Sequence, residues 1–209
     1  MPLKIFIDIG AYTGDTLDLA LKYDYDIIHC FEPVPIHYEA LIQKVSEMIY
    51  GPIIIIHPYG LLDIPRITEI YAAGSDGASI YQSKKQFSHQ NNTVKCSFRD
   101  AETIFKEFYN ADCLDVKINC EGAEWPIIER LSTSDRLNQI NDLCIHYDVL
   151  KVPGMEDKMN VMEQLMDDCF EGRRLTVGRN KQIHSDYPGA DLSQGKNWVA
   201  NWLEYINQE

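Results

Sequence analysis

Apolar runs rich in β-branched residues alternate with segments of helical periodicity along most of this chain. The runs are LKIFIDI (3–9), DIIHCFE (26–32), PIIIIHP (52–58), CLDVKIN (113–119) and INDLCIHYDV (140–149). Between them, the segments that repeat apolar residues at helical spacing are 13–23, 36–49, 100–109 and 122–131. Strands that are apolar on both faces and separated by helices are typical of a parallel sheet covered on both sides. The predicted fold class is therefore α/β.

Two segments interrupt this alternation. Residues 67–98 contain short β-like pieces, glycines and a polar middle, which indicate an antiparallel excursion or a flap that includes Ser75 and Ser79. Residues 184–198 are rich in turn formers and predict a long loop. The length of 209 residues suits a single domain that spans 1–209.

Charge and composition exclude several classes of protein. The formal net charge is −13, so we expect no nucleic-acid partner. No apolar stretch is long enough to cross a bilayer, and the N-terminus lacks the zones of a signal peptide. The six cysteines form no CxxC pair and are expected to be reduced core residues. We expect a cytoplasmic protein without membrane insertion.

The segment FIDIGAYTGDT (6–16) places two glycines directly after the first predicted strand. In open α/β sheets ligands bind at the carboxyl ends of strands, and glycine lets the backbone approach a ligand closely. The loop lacks both GxGxxG and the lysine of a P-loop, and its aspartates would repel a pyrophosphate. The residues of this segment predicted to bind a cofactor are Asp8, Gly10, Ala11, Tyr12, Thr13, Gly14 and Thr16.

The second predicted strand ends in CFEPVP, which places Glu32 and Pro33 at the same edge of the sheet. Glu32 lies 22 residues after Gly10, near the spacing of about 20 at which an acidic residue accepts hydrogen bonds from ribose. A nucleoside with a cationic, phosphate-free attachment describes S-adenosylmethionine. The alternative is that the glycines only make a turn and Glu32 is a solvated carboxylate.

Three segments stand in order across most of residues 5–150: FIDIGAYTGDT, FEPVPIHYEAL and LDVKINCEGAEWPIIERL. In sequence, order and spacing they together resemble the FkbM family of S-adenosylmethionine-dependent methyltransferases. The resemblance implies a class I methyltransferase (Rossmann-like) fold, with a mostly parallel seven-stranded sheet, one antiparallel strand and helices on both faces. It also implies O-methylation of a hydroxyl on a sugar, a glycan or a sugar-like natural product.

The chain departs from the family pattern in two ways. Asn119 stands where the family commonly has aspartate in KxDxEGAE, although an amide could still contact the methionine part of the cofactor. The chain also begins on its first strand without the leading helices of many relatives. It is therefore expected to be either a minimal enzyme or a domain cut from a larger protein, for example one fused to other glycan-processing domains.

Methyl transfer to an alcohol needs aligned reactants and an acceptor for the hydroxyl proton. The candidates follow the fourth and fifth predicted strands: Lys117, Glu121, His146 and Asp148. His146 titrates near neutral pH and is the best single base candidate, with a core histidine as the alternative. Lys117 is costly to bury alone and is expected to pair with Glu121 or Asp148. For Glu121 the alternative is helix-start electrostatics.

A divalent metal is a further hypothesis, to which we do not commit. Asn119, Glu121, His146 and Asp148 offer oxygen and nitrogen ligands for Mg²⁺ or Mn²⁺, but in no specific spacing. The other five histidines are expected to be structural or exposed: His29, His37, His57, His89 and His184.

Two functions compete with glycan methylation. One is O-methylation of a small natural product or protein, and the other is a non-catalytic cofactor-binding module of a larger protein.

Overall fold

Strands and helices alternate in the computed structural model, which describes residues 2–84, 92–169, 174–178 and 198–207. In chain order the elements are β1 (Lys4–Ile9), α1 (Asp15–Ala20), β2 (Ile27–Phe31), α2 (Pro35–Ser46), β3 (Ile53–His57), β4 (Gly60–Leu62), β5 (Arg66–Tyr71), β6 (Thr93–Asp100), α3 (Ala101–Phe105), β7 (Cys113–Ile118), α4 (Glu124–Thr133), β8 (Asp142–His146), α5 (Glu156–Cys169), β9 (Arg174–Gly178) and α6 (Trp198–Ile206). All five predicted apolar runs contain a strand of the large sheet.

The large sheet has the strand order β3-β2-β1-β7-β8-β9, and every neighbouring pair is parallel. The α/β class and the parallel sheet between helices are thus confirmed. The seven strands with one antiparallel member are not found, because the described residues supply six strands to this sheet, all parallel. From β1 the chain first builds outward to β3 and then returns to place β7 on the other side of β1. The order therefore reverses between β1 and β7, which is where such sheets open a ligand crevice.

The strands β1, β2, β7 and β8 of the large sheet bury both of their faces. On one face Ile5, Ile7 and Ile9 of β1 join a cluster with α3, α4 and α5, and on the other Phe6 packs with residues of α1, α2 and α6. Side chains alternate between the two faces of a strand, so both sets must be apolar. This explains why β1 and its neighbours have near-continuous apolar sequences.

A second, three-stranded sheet with the order β4-β6-β5 forms between β3 and β7 in the chain. The predicted antiparallel excursion is confirmed, because β5 and β6 pair in antiparallel register. Leu62, Ile70 and Phe98 of this sheet form a small core with Val34 and Ala123, which lie beyond the carboxyl ends of β2 and β7. The small sheet is thereby fixed beside the crevice.

Parts of two predicted segments lie outside the described residues. These are 85–91 of the polar middle and 184–197 of the turn-rich loop, and His89 and His184 fall within them. Within the described ranges, none of the helices combines the length and the apolar character that crossing a membrane requires. All six cysteines are free thiols, of which Cys30, Cys96 and Cys144 are buried in the core as expected and Cys113, Cys120 and Cys169 are only partly buried.

Candidate functional site

A cleft opens between the carboxyl ends of β1, β2 and β7 and the small sheet. Its floor is formed by Gly10, Glu32, Asn119 and Glu121 among others, and its apolar wall by Leu61, Ile70, Ile80 and Phe98. The empty space, measured out to the open mouth, is about 580 Å³.

The loop after β1 makes the closest backbone approach in the cleft. Gly10 has φ +81°, and a Cβ at this position would lie 2.1 Å from the carbonyl oxygen of Asn119. Its N–H donates to Phe31 O at 3.0 Å, which also ties the loop to β2. Only glycine fits here, because another residue would be strained by the positive φ and would also clash with backbone. The loop glycine thus brings the ends of β1, β2 and β7 together.

A buried ion pair between Lys117 and Asp8 stabilises the loop after β1. Lys117 Nζ donates to Asp8 Oδ1 at 2.8 Å and to Gly10 O at 2.9 Å, and both side chains are buried. The prediction that Lys117 pairs with Glu121 or Asp148 is therefore wrong. Asp8 and Lys117 are direct partners in the β1–β7 register, and their side chains lie on the same face of the sheet.

Burial and the ion pair together shift the pKa values of both groups. Burial opposes the charge on Lys117, but the attraction and hydrogen bond of Asp8 outweigh it and place the pKa of Lys117 above its ordinary value. Burial raises the pKa of Asp8, and Lys117 offsets only part of that effect. Lys117 is positioned to hold the loop rather than to touch a ligand, because it does not line the cleft.

Glu32 is held in a fixed orientation at the end of β2. Its Oε2 accepts from the N–H of Tyr12 at 2.8 Å, and its Oε1 accepts from the N–H of Val34 at 2.8 Å. Each carboxylate oxygen has a second lone pair, so the group can still accept hydrogen bonds from a ligand in the cleft. Tyr12, at φ +52°, directs its N–H to the carboxylate from the glycine loop, which couples the loop to β2.

Two polar atoms near Glu32 and β7 lack a hydrogen-bond partner within the described residues. Asn119 Oδ1 and His37 Nε2 are both buried, and both residues line the cleft. The ring of His37 packs edge-on against Tyr12 at 4.4 Å between centroids, and its Nδ1 lies 3.6 Å from Glu32 Oε1. Buried polar groups are nearly always hydrogen-bonded in native proteins, so these atoms indicate places where a ligand or water binds.

The predicted cofactor-binding residues divide into two groups of equal size. Five line the cleft: Gly10, Tyr12, Glu32, Pro33 and Asn119. Five do not: Asp8, Ala11, Thr13, Gly14 and Thr16. Of the second group, Asp8, Ala11 and Thr16 are buried, and Gly14 precedes α1 with φ +91°. These residues shape the loop and the start of the helix, while the first group faces the ligand space.

A charged cluster adjoins the cleft at Glu121. Lys84 Nζ donates to Glu121 Oε2, and Lys151 Nζ lies 3.6 Å from the same oxygen. Lys151 also contacts Asp148 Oδ1 at 2.7 Å, and His146 Nδ1 lies 3.0 Å from that atom. The structure thus brings together three of the four predicted catalytic residues, of which Glu121 alone lines the cleft.

The backbone at Glu121 is left-handed. Its φ is +55°, an uncommon conformation for a residue with a side chain, and Gly122 follows at φ +111°. Ser79 stabilises this turn, since its hydroxyl donates to Glu121 O at 2.6 Å. Ser75 and Ser79 belong to the segment predicted as a flap, and Ser75 lines the cleft. The small-sheet excursion therefore contacts both the cleft and the charged cluster.

The two carboxylates of the cluster have opposite pKa shifts. Burial, followed by the neighbouring Asp148, raises the pKa of Glu121 although Lys84 acts to lower it. Burial also opposes the charge on Asp148, but His146, Glu121 and Lys151 outweigh it and hold its pKa below the ordinary value. Glu124, which is fully buried, has its pKa raised to about 8 by burial and then by Asp148. The pKa values of Glu121 and Asp148 are therefore shifted in opposite directions, an arrangement typical of sites in which one carboxyl, here Glu121, transfers a proton.

Sequence reasoning missed Lys84, Lys151 and His37 as members of the site. Lys151 follows Asp148 by one turn, a spacing that could have indicated the pair, whereas Lys84 reaches Glu121 only through the tertiary fold. His37 was expected to be structural or exposed, and its FEPxxxH position gave no signal of its own.

His29 and His57 lie outside the cleft, on β2 and β3. His29 Nδ1 lies 2.9 Å from His57 Nε2, and Tyr59 OH lies 2.9 Å from His57 Nδ1. The expectation that these histidines are structural agrees with their packing between β2 and β3.

Among the described residues, no three His, Cys, Asp or Glu side chains are grouped so as to hold a metal ion.

Comparison with protein-family models, with curated proteins and with solved structures finds no match to this chain.

Proposed function

We propose that the protein is an S-adenosylmethionine-dependent O-methyltransferase that acts on a hydroxyl of a sugar or glycan. The observation that carries the proposal is the charge of the cleft. Its described lining residues include the carboxylates of Glu32, Asp76 and Glu121 and no lysine or arginine. Lys84 and Lys151, which do not line the cleft, pair with Glu121, so Glu32 and Asp76 carry the argument. Such a lining disfavours a phosphate-bearing nucleotide and suits a nucleoside that carries a sulfonium and an ammonium.

The positions of the polar groups support the same ligand. Glu32 would accept hydrogen bonds from the ribose hydroxyls, because both of its oxygens are held in place by backbone N–H groups. The unpartnered Asn119 Oδ1 would accept from the ammonium of the methionine part. The apolar wall that includes Leu61, Ile70 and Phe98 would bury the adenine ring. The bound cofactor supplies an electrophilic methyl group, and the protein aligns it with the acceptor.

The charged cluster would handle the acceptor hydroxyl. Glu121 lines the cleft, and its raised pKa makes it a better proton acceptor than an ordinary carboxylate. Lys84 and Lys151 would keep Glu121 and Asp148 oriented and would compensate the negative charge of the cluster. His146, beside Asp148, is the rival base, and the sugar acceptor itself rests on the resemblance to the FkbM family.

Calorimetry tests the cofactor site. S-adenosylmethionine and S-adenosylhomocysteine should both bind the wild-type chain, and NAD should bind poorly. Glu32→Ala should weaken binding at least about tenfold, because a hydrogen bond to a charged group contributes about 1.5–3 kcal/mol. Glu39→Ala, an exposed glutamate on α2, is the control and should bind like wild type. If neither adenosyl ligand binds wild type, or NAD binds as well, the proposal is wrong.

Turnover on a panel of sugars, small natural products and proteins tests the reaction and its acceptor. Glu121→Gln should lower turnover by roughly two to four orders of magnitude with cofactor affinity nearly unchanged if Glu121 is the base. The same result for His146→Ala, with Glu121→Gln active, would assign the proton to His146 instead. Cofactor binding without turnover on any acceptor class would favour the non-catalytic module.

A further inference from the structure

The edge strand β3 has an unpaired outer side in the part of the chain that the structure describes. It pairs only with β2, in parallel register from Ile27 opposite Ile53 to Phe31 opposite His57. Ile53 N donates to Asp26 O, and His57 O accepts from Glu32 N, so the odd-numbered residues direct their backbone groups toward β2. The N–H and C=O groups of the even-numbered residues, Ile54 and Ile56, therefore point outward.

Prolines limit this free edge at both ends. Pro52 and Pro58 flank the strand and have no N–H, so Ile54 and Ile56 supply its outward donors. A second copy of β3, placed antiparallel about a twofold axis at Ile55, matches this arrangement. Ile54 would then lie opposite Ile56 of the partner subunit, and each of the two equivalent pairs would exchange two hydrogen bonds. The next pairs would join two prolines, so the ladder would end there.

The surface around this edge is apolar. Ile49 and Tyr50 before the strand are 83% and 93% exposed, and Ile53 and Ile55 within it are 62% and 37% exposed. Together these side chains expose on the order of 500 Å², more than half of the roughly 800 Å² that each partner buries in a standard interface. Between its two flanking prolines the strand carries no lysine, glutamate or aspartate, so it lacks the charged side chains that are one common protection of an exposed edge.

We propose that two copies of this chain form a twofold-symmetric dimer through the outer edges of β3, with Ile55 at the axis and the two large sheets joined into one. The proposal does not depend on the function of the cleft. The net charge of −13 opposes association of like chains, so added salt should strengthen the dimer.

Sedimentation equilibrium of the full chain tests the dimer. Wild type should sediment at twice the chain mass at tens of micromolar. Ile55→Lys should raise the dissociation constant by about tenfold or more, because it places like charges opposite each other at the axis. The matched control is Ile67→Lys on β5, the edge strand of the small sheet, where the isoleucine is 73% exposed. This variant should remain dimeric. A monomeric wild type, or a dimer equally affected by both variants, overturns the proposal.

A cysteine at the axis tests the register without relying on loss of association. Residues in a non-hydrogen-bonded antiparallel pair have Cα atoms about 4.5 Å apart, within the range for a disulfide. Ile55→Cys should therefore form a cross-linked dimer under mild oxidation that reductant reverses. Wild type, with its native cysteines, and Ile67→Cys should not. Equal cross-linking in all three proteins, or none in Ile55→Cys despite dimerisation, contradicts this arrangement.

Discussion

Replacing Lys117 with methionine should destabilise the protein strongly, because it leaves Asp8 buried without its partner. The two side chains form an ion pair at 2.8 Å, and Asp8 Oδ2 has no hydrogen-bond partner among the described residues. Removal of one member of a buried pair typically costs about 3–5 kcal/mol. Lys117→Met also removes the hydrogen bond to Gly10 O, so the glycine loop should lose its support.

The double variant separates the ion pair from simple loss of packing. Asp8→Asn with Lys117→Met removes both charges, so its cost should be smaller than the sum of the single costs by about 1–3 kcal/mol. The matched control is Lys106→Met, because Lys106 is exposed and its partner Glu102 keeps its contact with Arg130. Its cost should be at most about 0.5–1 kcal/mol.

Urea unfolding at neutral pH measures each free energy of unfolding, provided that the denaturant slope stays constant among the variants. Binding of S-adenosylhomocysteine by the folded variants measures the effect on the loop. The reasoning is refuted if Lys117→Met costs less than about 1 kcal/mol, or if the two single costs simply add.

Three further predictions concern burial and backbone geometry. Burial, and then the neighbouring histidine, lowers the pKa of His29 from 6.5 to about 4, so wild type should lose about 2–3 kcal/mol relative to His29→Phe as the pH falls from 6.5 to 4. Equal pH profiles in urea unfolding would contradict this. Gly10→Ala should abolish cofactor binding and destabilise the fold more than Gly154→Ala, which has a similar φ of +83° but open space for a Cβ; calorimetry and thermal melts compare them. Burial raises the pKa of Glu124 from 4.5 to about 8, so its contribution to stability should fall as pH rises through that window, and Glu124→Gln should gain stability relative to wild type between those limits.

The alternation of strands and helices was predictable because apolar periodicity is a local property of the sequence. The strand order was not, and the error over Lys117 follows from that. Its burial cost is apparent from the strand CLDVKIN, but its partner depends on β7 lying beside β1 in the register that places Lys117 opposite Asp8. Glu121 and Asp148 are nearer in sequence but do not share this register.

The position of the cleft was predictable because the residues on its floor directly follow strands of the sheet. Gly10, Glu32 and Asn119 each directly follow a strand, so their convergence required only a parallel sheet. Lys84 could not be assigned to Glu121, because the contact joins residues 37 positions apart through the small sheet. The seven-stranded sheet came from the family resemblance, and the described residues supply six strands to the large sheet.

The β1–β7 pairing has a consequence for synthesis of the chain on the ribosome. The partners Asp8 and Lys117 are 109 residues apart, so β1 is synthesised long before β7, the strand that pairs with its second edge. At about 5–20 residues per second this interval is roughly 5–20 s. Until β7 is synthesised, the edge of β1 that pairs with it in the finished sheet has no partner strand and is open to other chains. The central strand of the finished sheet is therefore an edge strand in the nascent chain, and this is the stage at which a chaperone would be most useful.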